Sequence, residues 1–137
     1  MFIREITIRK FRHLENVHLG PFEQPTNDSD SICLAGPNGG GKSSILELIG
    51  FALSNSYSLT WGLNRSLPES SFEVAIGVTP EEILLAKNIA KSSNWPNMDV
   101  AIAQLEATGY YWRGFNFPDG EYAKNQNPQN LIHQFVT

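Results

Sequence analysis

Four glycines fall within the six residues 36–41 of this chain, in the stretch Gly36-Pro37-Asn38-Gly39-Gly40-Gly41-Lys42-Ser43. Glycine loses more backbone freedom on ordering than any other residue, so this stretch is predicted to be a loop. Both its flanks are regular. Ser31 to Ala35 is a short apolar run that ends at a glycine, which predicts a buried strand. From Ser43 to Leu53 the residues Ile45, Leu46, Leu48, Ile49, Ala52 and Leu53 recur at helical spacing with no proline among them, which predicts a helix with a broad buried face.

Between that strand and that helix, Gly36 to Ser43 fits G-x-x-x-x-G-K-[ST] at every fixed position. The chemistry of this pattern is phosphate binding. Backbone N–H groups must wrap round a phosphate in conformations that a Cβ obstructs, and Gly39, Gly40 and Gly41 supply that freedom. Lys42 brings an ammonium to the β- and γ-oxygens, the positive end of the helix dipole adds to the attraction, and the Ser43 hydroxyl offers Mg²⁺ a ligand. The ligand expected is a nucleoside triphosphate, with Mg-ATP first.

The remaining chain is consistent with one domain. Its 137 residues are 41% hydrophobic, enough for one core. A net charge of −4 gives no global footprint for nucleic acid. The single cysteine, Cys33, cannot form an intramolecular disulfide and is expected to be a small buried hydrophobe. No leader-like segment or run of about 18 apolar residues is present, so a soluble cytoplasmic protein without membrane contact is expected.

Ahead of the loop, Phe2–Ile8 and Val17–Leu19 read as strands joined through Lys10 to His13, and Pro25 to Asp30 as a surface loop. Ser54 to Ser71 reads as a long loop, after which a second layer begins. In it, Phe72–Val78 is predicted as a strand, Glu81–Lys91 and Met98–Thr108 as helices, and Tyr110–Phe117 as a strand entering a hairpin at Pro118 to Gly120. Thr79, Pro80 and Glu82 have the spacing of an N-cap, a first helical residue and the acidic member of a capping box. Gly109 stands where a helix stops. The aromatic run around Arg113 suits sheet packing better than a nucleic-acid surface.

The opening MFIREITIRKFRHLENVHLGPF, followed by SICLAGPNGGGKSSILELIGFAL, resembles the N-terminus of the ABC-type ATPases that act on DNA: the SMC, RecF, SbcC and OLD-like families. These families open with a strand, an aromatic-Arg pair, a second strand, then Gly-x-Asn-Gly-x-Gly-Lys-Ser and a helix. The resemblance spans about the first 55 residues. It implies an α/β fold of the P-loop NTPase class, an ABC-ATPase-like head with an antiparallel β layer and short helices after the P-loop helix. Residues 1–137 would be the N-terminal part of one such domain, 1–55 holding the strands, P-loop and first helix and 56–137 a peripheral layer. It further implies ATP held between two heads, as a homodimer or with a missing C-terminal half, and DNA engaged through the complete protein. Gly36, Asn38, Gly39, Gly40, Gly41, Lys42 and Ser43 fall on its phosphate and Mg²⁺ positions, Ser44 on a further phosphate contact, and Arg12 near the nucleotide.

Such heads also need a Walker B strand ending in Asp-Glu, a signature motif and a switch histidine, and none is found here. Val74 to Val78 lacks the aspartate. The expectation is therefore ATP binding by this chain, with no catalytic residue assigned and hydrolysis only in a complete, dimeric head. Two other readings stay open: a P-loop kinase or GTPase, though Asn-Lys-x-Asp and a basic lid are missing, and a non-catalytic nucleotide-binding module. His13, His18 and His133 lack metal-ligand spacing. Gln104, Gln129 and Gln134 offer no basis for choosing a γ-phosphate sensor.

Overall fold

The computed structural model describes residues 1–27, 31–53, 69–92 and 98–117, and the backbone of 120–122. In chain order the elements are β1 (Phe2–Phe11), β2 (Leu14–Leu19), α1 (Lys42–Leu53), β3 (Ser70–Gly77), α2 (Pro80–Ser92), α3 (Met98–Thr108), β4 (Tyr110–Phe117) and β5 (Gly120–Tyr122). The five strands form one sheet in the order β2-β1-β3-β4-β5, with every pairing antiparallel. β1 lies between β2 and β3, so the strands before the glycine loop and those from Ser70 onward share one sheet instead of forming two layers.

Alternation along the strands decides which face is covered. Ile6 and Ile8 of β1 pair with Val74 and Phe72 of β3, which in turn pair with Arg113 and Phe115 of β4. These side chains point to one face, and α1 lies on it with Ser44, Ile45, Leu48, Phe51 and Ala52 buried. The ring of Phe51 meets Phe72, Phe115 and Phe117 at centroid distances of 6.1, 4.8 and 5.5 Å, each edge to face. Ala101 and Leu105 of α3 belong to the same core. On the opposite face the buried Glu73 pairs with Arg9 at 2.8 Å, and Ser71 Oγ donates to Asn116 Oδ1 at 2.7 Å.

Local signals set the ends of the helices. Thr79 Oγ1 accepts from the Glu82 N–H and Glu82 Oε2 accepts from the Thr79 N–H, both at 3.3 Å, so the capping box closes reciprocally at the start of α2. Glu82 also holds the N-terminal ammonium of Met1. Gly109, at φ +75°, ends α3 with its N–H on the Leu105 carbonyl at 2.7 Å. Tyr111, Arg113, Phe115 and Phe117 are all buried, so the aromatic strand packs within the sheet and its core. β5 returns antiparallel to β4, giving the expected hairpin, whose tip at Pro118 and Asp119 lies outside the described residues. So do Ser54 to Pro68, His133, Gln129 and Gln134.

One expectation fails. Ser31 to Ala35 pairs with no strand among the described residues, and Ile32 and Cys33 are exposed. A short apolar run becomes a buried strand only when neighbours accept its backbone hydrogen bonds. Here Ser31 to Ala35 is joined to neither edge of the sheet, β2 or β5, among the described residues.

Candidate functional site

The turn between β1 and β2 and the loop before α1 meet at one place. Phe11 pairs with Leu14, leaving Arg12 and His13 as a two-residue turn in which Arg12 has φ +55°. Positive φ is uncommon for a side chain like arginine and persists only when its surroundings hold it. Arg12 Nη1 donates to Ser44 Oγ at 3.3 Å, Nη2 pairs with Glu47, and the guanidinium lies 5.5 Å from the Phe11 ring centroid. The β1–β2 turn is thereby tied to the first turns of α1.

The glycine loop is shaped by its own backbone. Gly39 and Gly41 take φ of +79° and +94°, and the Gly40 N–H reaches the Pro37 carbonyl at 3.1 Å. At Gly41 the freedom is also steric: a Cβ there would stand 2.6 Å from Leu14 Cδ2 and 3.2 Å from His13 Nε2. Ile45 N–H bonds the Gly41 carbonyl at 3.0 Å, making Gly41 the cap of α1. The N–H groups of Lys42, Ser43 and Ser44 precede the first intrahelical bond and so have no helical acceptor. These free donors at a helix N-terminus form an anion site, reinforced by the dipole.

Lys42 Nζ donates to the Gly36 and Pro37 carbonyls, each at 2.6 Å, and so spans the loop while keeping one of its three donors. A depression of about 200 Å³ is lined by His13, Asn38, Gly39, Gly41, Lys42, Ser43 and Ser44. Ser43 is exposed there, whereas Ser44 Oγ is buried and engaged by Arg12, which leaves the Ser44 N–H as its group for an anion. Arg12 thus stands beside the depression, and Gly36 and Gly40 hold the loop behind it. His13 is the lining residue that sequence reasoning passed over, because it was weighed only as a metal ligand. Its position directly after Arg12 in the turn was the available signal.

Other candidates lie elsewhere. Gln104 is exposed on α3 and does not line the depression. Among the described residues no group of three His, Cys, Asp or Glu side chains is placed to hold a metal, and no helix is long and apolar enough to cross a membrane. Beside the loop runs a larger, mostly apolar groove of about 610 Å³. Ile32, Leu34, Ile45, Leu46 and Ile49 line it, with Lys42 and Ser43 at one end. Leu46 and Ile32 are 61% and 53% exposed.

A glycine loop that caps a helix presents the free N–H groups that an anion needs. The family model described as an AAA domain matches residues 5–126, and the chain belongs to that family. No curated protein and no solved structure matches the chain. The family has the P-loop NTPase fold and generally uses ATP and Mg²⁺. The residues present fit that ligand: three helix N–H groups have no acceptor within α1, and one ammonium crosses the loop. Gly39, Gly41, Lys42 and Ser44 would hold the phosphates and Ser43 the Mg²⁺, which when bound would neutralise phosphate charge.

Proposed function

We propose that this chain binds Mg-ATP as part of an ABC-type ATPase head of the SMC, RecF, SbcC and OLD-like group. One observation carries the proposal. The Phe11-Arg12 turn, far from the loop in sequence, is bonded to Ser44 in the first turn of α1, so an arginine stands beside the phosphate loop. A glycine loop alone would support nucleotide binding in general. The added arginine turn, built from the two strands that precede the loop, supports this narrower group.

Within this reading Arg12 supplies positive charge to the nucleotide, Lys42 bridges its β- and γ-phosphates, and hydrolysis belongs to a complete head. Among the described residues no acid lines the depression, and the residues that do line it supply phosphate and Mg²⁺ contacts, which supports binding as this chain's own part. The apolar groove lined by Lys42 and Ser43, open among the described residues, supports a head completed by further protein, from a second head or from another segment. A DNA-associated role in repair, recombination or defence follows from the same grouping.

Calorimetric titration of the protein with Mg-ATP, alongside Lys42→Ala and with hydrolysis assayed in the same samples, tests the proposal. Lysine-dependent binding without turnover is the expected outcome. Binding that survives the substitution would remove the loop from the account, and lysine-dependent turnover would show that a complete head is not needed for hydrolysis.

A further inference from the structure

We propose that His13 is a phosphate ligand of this site, its imidazole Nε2–H donating to an oxygen of the triphosphate held by the Gly36–Ser43 loop. The inference rests on the nucleotide-binding reading above and adds to it a residue from the β1–β2 turn. His13 is fixed by its neighbours on both sides. Arg12 is bonded to Ser44 and Glu47, and Leu14 is buried with its Cδ2 2.6 Å from the place a Gly41 Cβ would occupy. A residue between two such anchors in a two-residue turn has little freedom to leave.

The direction of the ring follows from the same contact. His13 Nε2 stands 3.2 Å from the position of a Cβ on Gly41, so the tip of the imidazole faces the loop. The side chain is exposed, makes no hydrogen bond among the described residues, and lines the depression together with Asn38, Gly39 and Lys42. With its tip toward the loop, a ring nitrogen meets whatever the loop holds. A neutral imidazole carries one N–H, and imidazole placed against phosphate makes the stronger, charge-assisted kind of hydrogen bond. Lys42 keeps one donor beyond those given to the Gly36 and Pro37 carbonyls, and Arg12 also serves Ser44 and Glu47, so His13, which makes no hydrogen bond among the described residues, adds a further donor at this wall of the site.

The test titrates the full chain with Mg-ATP and, separately, with inorganic tripolyphosphate, using wild type, His13→Ala, His13→Gln, His13→Phe and Lys42→Ala. His13→Ala is expected to weaken both ligands about tenfold, the loss of one hydrogen bond to a charged group. His13→Gln should recover part of that loss because its amide nitrogen donates, and His13→Phe should recover none. Wild-type affinity in His13→Ala would overturn the proposal. So would a loss confined to ATP, or full ATP affinity in His13→Phe, either of which would make the ring a platform for the base. If Lys42→Ala binds both ligands like wild type, the failure lies in the loop itself.

Discussion

Arg113 on β4 donates from Nη1 to the carbonyl of Ala52, in the last turn of α1. A buried guanidinium therefore caps the C-terminal end of the helix whose N-terminal end carries the glycine loop, and it complements the dipole there. Its ring neighbour is Phe115, at 5.2 Å from the guanidinium carbon. Replacing Arg113 with Met keeps apolar volume but leaves the Ala52 carbonyl without this donor. We expect a loss of about 1–3 kcal/mol in urea unfolding. Unchanged stability would mean the carbonyl finds another partner.

Gly41 and Gly39 are both at positive φ but differ in surroundings. A Cβ on Gly39 meets nothing within 4 Å, whereas one on Gly41 runs into Leu14 and His13. Gly39→Ala should cost about 1–2 kcal/mol from backbone strain alone. Gly41→Ala should cost more than that in the same unfolding experiment and should abolish Mg-ATP binding. Equal effects of the two substitutions would show that the contact with the β1–β2 turn does not shape the loop.

Ligand binding should be visible as stability. A protein held at 100 times its dissociation constant in Mg-ATP gains about 2.7 kcal/mol, and this gain should disappear in Lys42→Ala. A thermal melt with and without nucleotide measures it. The unliganded Lys42→Ala protein should still fold, since among the described residues Lys42 bonds to the loop carbonyls of Gly36 and Pro37 and to no core element.

The cap of α2 gives an independent check on local signals. Thr79→Ala removes the hydroxyl that accepts the Glu82 N–H and should destabilise the protein by about 1 kcal/mol. Because neither Thr79 nor Glu82 lines the depression before α1, Thr79→Ala should leave nucleotide affinity unchanged. A change in affinity would connect α2 to the site.

What was readable in the sequence was what neighbours in the chain decide. Thr79, Pro80 and Glu82 lie within one helical turn, and their box formed as their spacing required. The Gly109 stop and the burial of Ile45, Leu48 and Ala52 on α1 are local in the same sense, whereas Leu46, expected on the same buried face, is 61% exposed because no described element covers that side of the helix. Ser31 to Ala35 was misread because burial of a strand depends on partners brought from elsewhere, and the exposed Ile32 and Cys33 record their absence among the described residues. Arg113 could not be recognised as a helix cap from its aromatic surroundings, since Ala52 lies on a different element. His13 needed the turn geometry. Its residue type is informative only once Gly41 is known to lie beside it.

The groove beside α1 makes a prediction of its own. Leu46 is exposed on the helix surface next to Ile32, so Leu46→Lys should leave folding stability within about 0.5 kcal/mol of wild type. If a protein partner covers this face, the same substitution should reduce self-association in analytical ultracentrifugation. An unchanged sedimentation profile across the concentration range would argue against a second copy as the cover.

The place of β1 between β2 and β3 also sets an order of events during synthesis. The hairpin of β1 and β2 and the whole glycine loop leave the ribosome before β3, the strand that secures β1 on its other side. From Ser43 to Gly77 the chain lengthens by 34 residues. At about 5–20 residues per second that is a delay of roughly 2–7 s. During this interval the phosphate loop exists as sequence while β3, β4 and β5, three of the five strands of the sheet, are still unmade.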